Sequence, residues 1–357
     1  MFQTHRSWIF RIFVLLSWGV LLIGTLVFLP RIFEKDDKKF ITIFTWGDIL
    51  EPSVLQDFQK QTGIDIKVSY YASNEELLMK LKATGGEGYD LVIPSDYAVN
   101  MLRQDGLLKK LDYSKLSFVD TLNPVLLNHY FDPQNEYSLP WGWEIFGFGY
   151  DQDVLGVLKD VDWNLIFDKK TYAGSLIMLN DPREAIAFAS LYLFDLNETL
   201  RPEQKNQIIA LLLEQKNRVV AYSNFRADYY LATKNCPLVV SSSSYIWRAM
   251  DQYPHIGFAI PQKTFITIEN MAITSSSVHE EYVYEFLNYL YQPEIIEKHF
   301  ESFAFIPPRA DVIESLSIDQ EAKKRMISSQ EDFKRYLFFT QQLSELDRQK
   351  IWMTVKS

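Results

Sequence analysis

The chain has 357 residues, is 47% hydrophobic and 23% charged, and carries a formal net charge of −10. A chain of this length buries large cores and favours two lobes over one, and its acidic balance disfavours nucleic acid and anionic membrane surfaces as partners. Its single cysteine, Cys236, excludes an intramolecular disulfide and any cysteine-rich metal site.

Residues 12–30 carry no charge and follow Arg11. As a helix they would cover about 28 Å, close to the hydrocarbon thickness of a bilayer. The segment ends in Leu26 to Phe33, which lacks the small-residue cleavage site of a secretory signal. It reads as an uncleaved signal anchor, with a cleaved signal peptide as the alternative. Basic residues lie on both sides, so charge leaves the orientation open. Glu34 to Lys39 form a charged tether. Beyond it the body holds 30 basic against 43 acidic side chains, a balance of −13. Such a surplus either keeps the chain soluble or attracts cations.

Ile41 to Thr45 is a β-branched and aromatic run that predicts a strand ending at Trp46. A helix is expected from about Pro52, with Val54, Leu55 and Phe58 on its apolar face and Gly63 as its stop. Ile64 to Tyr70 alternates as a second strand. Glu75 to Lys82 is a short amphipathic helix ended by Gly85 and Gly86. Tyr89 to Pro94 is a third, buried strand that delivers Ser95, Asp96 and Tyr97 at its tip. Strands alternating with helices imply a parallel α/β sheet, and ligands of such sheets sit beyond the carboxyl ends of the strands. Trp46 and the Ser95–Asp96–Tyr97 tip are therefore candidates for one crevice.

Val99 to Leu107 reads as helical and residues 108–118 as loop. Trp141 to Tyr150 alternates aromatic residues with glycine, a strand suited to crossing between lobes because glycine permits close backbone approach and hinge adjustment. Thr171 to Leu179 begins the core of a second lobe. Asp181 followed by Pro182 starts its helix. Gln204 to Lys216 is an amphipathic helix, and Leu238 to Val240 and Ile256 to Ile260 are strands. Cys236, beside the first of them, reads as a small core residue. Phe265 to Ile273 returns the chain to lobe one, Glu280 to Tyr291 is helical, and helices from Val312 onward close lobe two.

Three acids stand out. Asp181 and Glu184 lie three apart at a helix start and can face the same side, either toward a ligand or as cap and dipole complement. Glu269 sits in an otherwise apolar strand, where an acid is costly unless it is paired or faces a wet cleft. The five histidines are scattered without metal-ligand spacing. No nucleophile elbow, phosphate loop or zinc-binding helix is present, so neither enzyme chemistry, a metal nor a cofactor is expected.

Ile43 to Trp46, Phe58 to Gly63, Ser73 to Glu75, Lys80 to Lys82 and Tyr89 to Tyr97 together resemble the opening of the spermidine/putrescine-binding periplasmic proteins, the solute receptors of polyamine ABC transporters. The likeness continues through Phe131 to Pro133, Tyr137 to Pro140, Asn180 to Glu184 and Tyr289 to Pro293. It thus covers nearly everything after residue 40. It implies a bilobed type II periplasmic-binding-protein clamshell, two α/β lobes joined by crossing strands near 145 and 269. Lobe one would hold residues 40–144 plus 269–315, and lobe two 145–268 plus 316–357, after a signal or anchor segment at 1–39. It also implies export to the periplasmic space, a monomer, a polyamine ligand and ABC permease subunits as partners.

By the same resemblance Asp181, Glu184 and Glu269 hold the ammonium groups, and Trp46 and Tyr97 pack on the methylene chain. Ser95 matches a polar cleft residue, with Asp96 beside it. The departures are Ile49 where tyrosine is usual, Ser241 and Thr267 where tryptophan is usual, Phe305 for tyrosine, and glutamate rather than aspartate at 269. Trp141, Trp143, Tyr245 and Trp247 are available to refill the lost volume. Acids kept while stacking residues change imply a cationic ligand of altered length or affinity. The rivals are a same-fold receptor for another cationic or polar solute, and a tethered sensor that docks on a membrane signalling protein.

Overall fold

A computed structural model describes residues 16–19, 21–23, 25, 39–223, 226–318, 323, 326 and 329–357. The chain forms two units, residues 1–39 and 40–357. In the first, the described residues are helical apart from Lys39, with Leu16, Trp18 and Leu21 to Ile23 exposed. Among the described residues no helix is long and apolar enough to cross a membrane. Most of the expected anchor, residues 12–30, and of the tether lies outside them.

Among the described residues the second unit is built on a ten-stranded sheet. Its strands are β1 (Phe40–Thr45), β2 (Asp65–Tyr70), β3 (Leu91–Val92), β4 (Leu139–Asp151), β5 (Leu176–Met178), β6 (Val219–Tyr222), β7 (Leu238–Ser242), β8 (Ile256–Ala259), β9 (Thr264–Ile273) and β10 (Tyr336–Phe338). The spatial order is β2-β1-β3-β9-β4-β7-β5-β6, with β10 beside β9 and β8 beside β4. β1 pairs in parallel with both β2 and β3, as strands joined by helices must. The helix Pro52–Thr62 begins with proline and stops at Gly63, whose φ of 69° suits a residue without Cβ. The helix Asn74–Thr84 is capped by the Ser73 hydroxyl, which accepts from Glu76 N, and ends at Gly85.

Two long strands tie the halves of the sheet together. β4 pairs with β9 from Leu139 to Ile145 and with β7 and β8 beyond it. β9 in turn pairs with β3 at Ala272 and Ile273. The glycines of β4 serve close packing. A Cβ on Gly147 would lie 2.6 Å from Ala259 O and 2.9 Å from Phe258 Cζ. Gly147→Ala should therefore lower unfolding stability by about 1–3 kcal/mol, the usual cost of overpacking, in urea titrations. An unchanged midpoint would mean that β8 can withdraw freely.

Period-two alternation sends neighbouring residues to different cores. Ile43 packs with Phe58, Met271 and Phe286, while Phe44 packs with Leu77, Val99 and Ile268. In β7, Leu238 and Val240 join a core with Phe148, Trp163 and Phe188, while Val239 joins Leu231, Ile246 and Phe258. Cys236 is fully buried in that last core, as expected.

Several elements depart from the sequence reading. The third strand shrinks to two residues. The helices Ser243–Met250 and Pro293–Phe303 and the strands β6 and β10 had no clear periodic signal. Leu316, Met326, Phe333 and Tyr336 pack in one core with Phe44 and Val92. The helix Glu345–Lys356 packs through Ile351, Trp352 and Val355 in the core of Phe148 and Trp163.

Candidate functional site

A cavity of about 600 Å³ opens where β4 and β9 pass between the two sets of cores. Nine of the ten site residues expected from sequence line it: Trp46, Ser95, Tyr97, Asp181, Glu184, Ser241, Thr267, Glu269 and Phe305. Asp96 is the exception. It is fully buried behind the wall, where Oδ2 accepts from Ile268 N at 3.0 Å and Oδ1 accepts from the Tyr130 hydroxyl at 3.2 Å. Burial lifts its pKa to about 7. It braces the Asp96–Gln104 helix against β9 and does not face a ligand. Ile49 is likewise core, packed in the cluster of Ile41 and Trp141.

The tips of β1 and β3 meet through Glu269. Its Oε1 accepts from Ser95 Oγ at 2.6 Å and its Oε2 from Trp46 Nε1 at 2.9 Å. Asn74 Nδ2 donates to Ser95 Oγ at 3.0 Å, so the serine itself is oriented. Trp46 leans on Tyr71 at a centroid distance of 4.6 Å. These neutral donors satisfy the carboxylate and leave its charge uncompensated. Burial, with Glu144 and Asp96 nearby, raises the Glu269 pKa to about 8.

On the far wall Asp181 caps the helix Pro182–Phe194. Its Oδ1 accepts from Arg183 N at 2.7 Å and Glu184 N at 3.1 Å. The capping role and a place on the cavity wall coexist in this residue. Desolvation raises the pKa of Asp181, and raises that of Glu184 further, with Asp181 and Glu144 adding like charge.

Among the cavity residues that sequence reasoning missed, four matter most. Glu144 sits in β4 with its carboxylate accepting from the hydroxyls of Ser242, at 2.6 Å, and Ser244. The signal was the one that flagged Glu269, an acid alone in an apolar strand. Arg183 donates to Glu75 Oε1 at 3.1 Å, and its guanidinium lies 3.8 Å from the Tyr97 ring centroid. It thereby ties the Pro182–Phe194 helix to the Asn74–Thr84 helix. Phe146 and Phe339 supply further rings. Of the four residues considered for refilling lost volume, Tyr245 lines the cavity, Trp141 and Trp143 are buried in two separate cores, and Trp247 packs on the core of Trp143 and on that of Ile246.

The cavity is strongly acidic. Among the described residues, Asp48, Glu75, Glu76, Glu144, Asp181, Glu184 and Glu269 line it against the one base Arg183. Among the described residues, Glu144, Asp181, Glu184 and Glu269 form no ion pair with a basic side chain. Enclosed carboxylates of this kind favour a bound cation or protonation. No group of acids, histidines or cysteine is arranged to hold a metal ion among the described residues.

Residues 53–325 match the bacterial extracellular solute-binding protein family. The spermidine/putrescine-binding periplasmic protein of Escherichia coli K12 is 28% identical over 307 residues, covering 84% of this chain and 86% of its own. The putrescine/cadaverine-binding protein of Pseudomonas aeruginosa is 29% identical over 261 residues, covering 70% and 73%. The substrate-binding protein of a spermidine/putrescine ABC transporter from Streptococcus pneumoniae superposes with a TM-score of 0.76 at 23% identity, covering 89% of this chain and 98% of that one. That likeness carries the α/β solute-receptor fold.

Proposed function

The chain belongs to the bacterial extracellular solute-binding proteins, and from that membership we propose that it captures a polyamine of the putrescine and spermidine class. It then presents the polyamine to the permease of an ABC transporter. Relatives of this chain are named for those same ligands. One observation carries the reading above the others. Four carboxylates that form no ion pair among the described residues line a cavity that also presents aromatic rings, among them Trp46, Tyr97, Phe146, Tyr245 and Phe305. Ammonium groups answer the first feature and methylenes against ring faces the second.

In this reading Glu269, Asp181 and Glu184 take the ammonium groups, and Trp46, Tyr97 and Phe305 pack on the chain. Ser95 orients Glu269. Ser241 and Thr267 leave room for the ligand. The protein works as a monomer outside the cytoplasm, held at the inner membrane by residues 12–30, and carries out no chemistry on its ligand. The lobes of the clamshell are residues 40–144 with 269–315 and residues 145–268 with 316–357, the side chains of Leu316, Met326, Phe333 and Tyr336 leaning on the first. Closure bends β4 and β9 and expels water, which strengthens each ammonium–carboxylate contact.

Calorimetric titration with putrescine, spermidine and spermine, with neutral amino acids as controls, tests the proposal. Saturable binding of an amine at micromolar or lower concentration is the expected result. No heat with any amine would retire the polyamine assignment and leave a receptor for another solute.

A further inference from the structure

Glu144 is one of the four acids without an ion pair among the described residues, yet the reading above gives it no ammonium group of its own. Across the order β3-β9-β4-β7-β5, the four acids of the cavity without an ion pair among the described residues fall into three stations. Glu269 on β9 is drawn toward β3 by Ser95, with which it forms a bridge. Asp181 and Glu184 follow β5 at the other end. Glu144 on β4 stands between them, drawn toward β7 by Ser242 and Ser244.

The register fixes the spacing. Glu144 lies opposite Thr267, and Glu269 opposite Gly142. The two glutamates are thus diagonal neighbours on one face, about 7–8 Å apart at the backbone. Their serine partners sit on opposite flanks, which turns the carboxylates away from each other. One ammonium group therefore does not serve both. The charge of Glu144 is felt at Glu269 on one side and at Glu184 on the other, as a middle station requires. Thr267 opposite it is small, as is Ser241 opposite Gly147, so the space before the carboxylate is open.

Resting on the polyamine reading, we propose that Glu144 binds the internal, secondary ammonium group of a triamine whose two ends are held by Glu269 and by Asp181 with Glu184. Glu144 then sets specificity by charge position along the chain, beyond chain length. A diamine of equal length fills both end stations and leaves Glu144 facing methylene.

The test compares spermidine with 1,8-diaminooctane, which has the same backbone length and no central nitrogen, on the full protein and on Glu144→Gln. The protein should prefer spermidine by roughly tenfold or more, as for a charge-assisted contact. Glu144→Gln should abolish that preference while its affinity for 1,8-diaminooctane stays within about threefold. Equal weakening of both ligands would make Glu144 a support for the Ser243–Met250 helix and overturn the proposal, as would an unchanged preference. Glu144→Asp, which keeps the charge but draws it back by one methylene, should weaken the preference for spermidine selectively should Glu144→Gln fold poorly. Failure of the parent protein to bind either amine would instead overturn the polyamine reading itself.

Discussion

Glu269→Gln should weaken polyamine binding by at least about tenfold, the consequence of losing a charge-assisted contact worth about 1.5–3 kcal/mol. The substitution is clean because its neighbours tolerate an amide. Trp46 Nε1 can only donate, so the amide oxygen faces it at the place of Oε2. The amide nitrogen then faces Ser95, whose hydroxyl can turn to accept. Shape and hydrogen bonds survive while the charge is gone. Asp181→Asn makes a second, independent probe, since asparagine caps a helix as well as aspartate does. The Pro182–Phe194 helix should keep its stability while amine affinity falls. Unchanged dissociation constants in both variants would remove the carboxylates from the ligand site.

Binding should also tighten steeply as pH rises from 6 toward 8. In the empty cavity burial raises the Glu269 pKa to about 8, and the pKa values of Glu144, Asp181 and Glu184 are raised too. An ammonium ligand favours the ionised carboxylate, so a proton must leave each acid that is still protonated. Affinity then climbs by up to about tenfold per pH unit for each such acid, until the amines themselves lose protons near the lysine range of about 10. Calorimetry near pH 7 in buffers of different ionisation enthalpy should register proton release. A flat affinity between pH 6 and 8 would show that the acids are ionised before the ligand arrives.

The stability of the empty protein carries the opposite sign. A carboxyl whose folded pKa lies above its unfolded value, near 4.5 for Glu269, favours the fold most where both states are protonated. That contribution is lost as pH rises from about 4.5 through 8, and a bound polyamine restores it. The melting temperature of the free protein should therefore fall over this range, and the ligand-induced increase should grow.

Much of the first lobe was legible because its signals are local. The alternation of Ile41 to Thr45 and the stops at Gly63 and Gly85 each act within a few residues, as does the proline after Asp181 in the second lobe, and each element formed where those signals lie. The third strand was overlong in the reading because a buried apolar run does not reveal how much of itself finds a partner. Only Leu91 and Val92 pair with β9. Ser242 ends β7 and stands at the start of the helix that follows, but its hydroxyl donates to Glu144 instead of accepting from that helix. Two residues show the limit of strand-tip reasoning. Ser95 and Asp96 are adjacent, but Ser95 reaches Glu269 in the cavity while Asp96 turns back to bind Ile268 N, 172 residues away in the chain.

The sequence by itself determined the element types, the acidic surplus and the motifs that place this chain among solute receptors. Periodicity, capping and net charge depend only on neighbours and totals. Tertiary structure alone decided which acids share a cavity and what each one faces. Glu144 joined Glu269 through the register of β4 on β9, and Arg183 reached Glu75 across 108 residues of chain. Desolvation and Coulomb interaction follow distance in space, and in this fold that distance is set by two strands that each pair with both halves of the sheet.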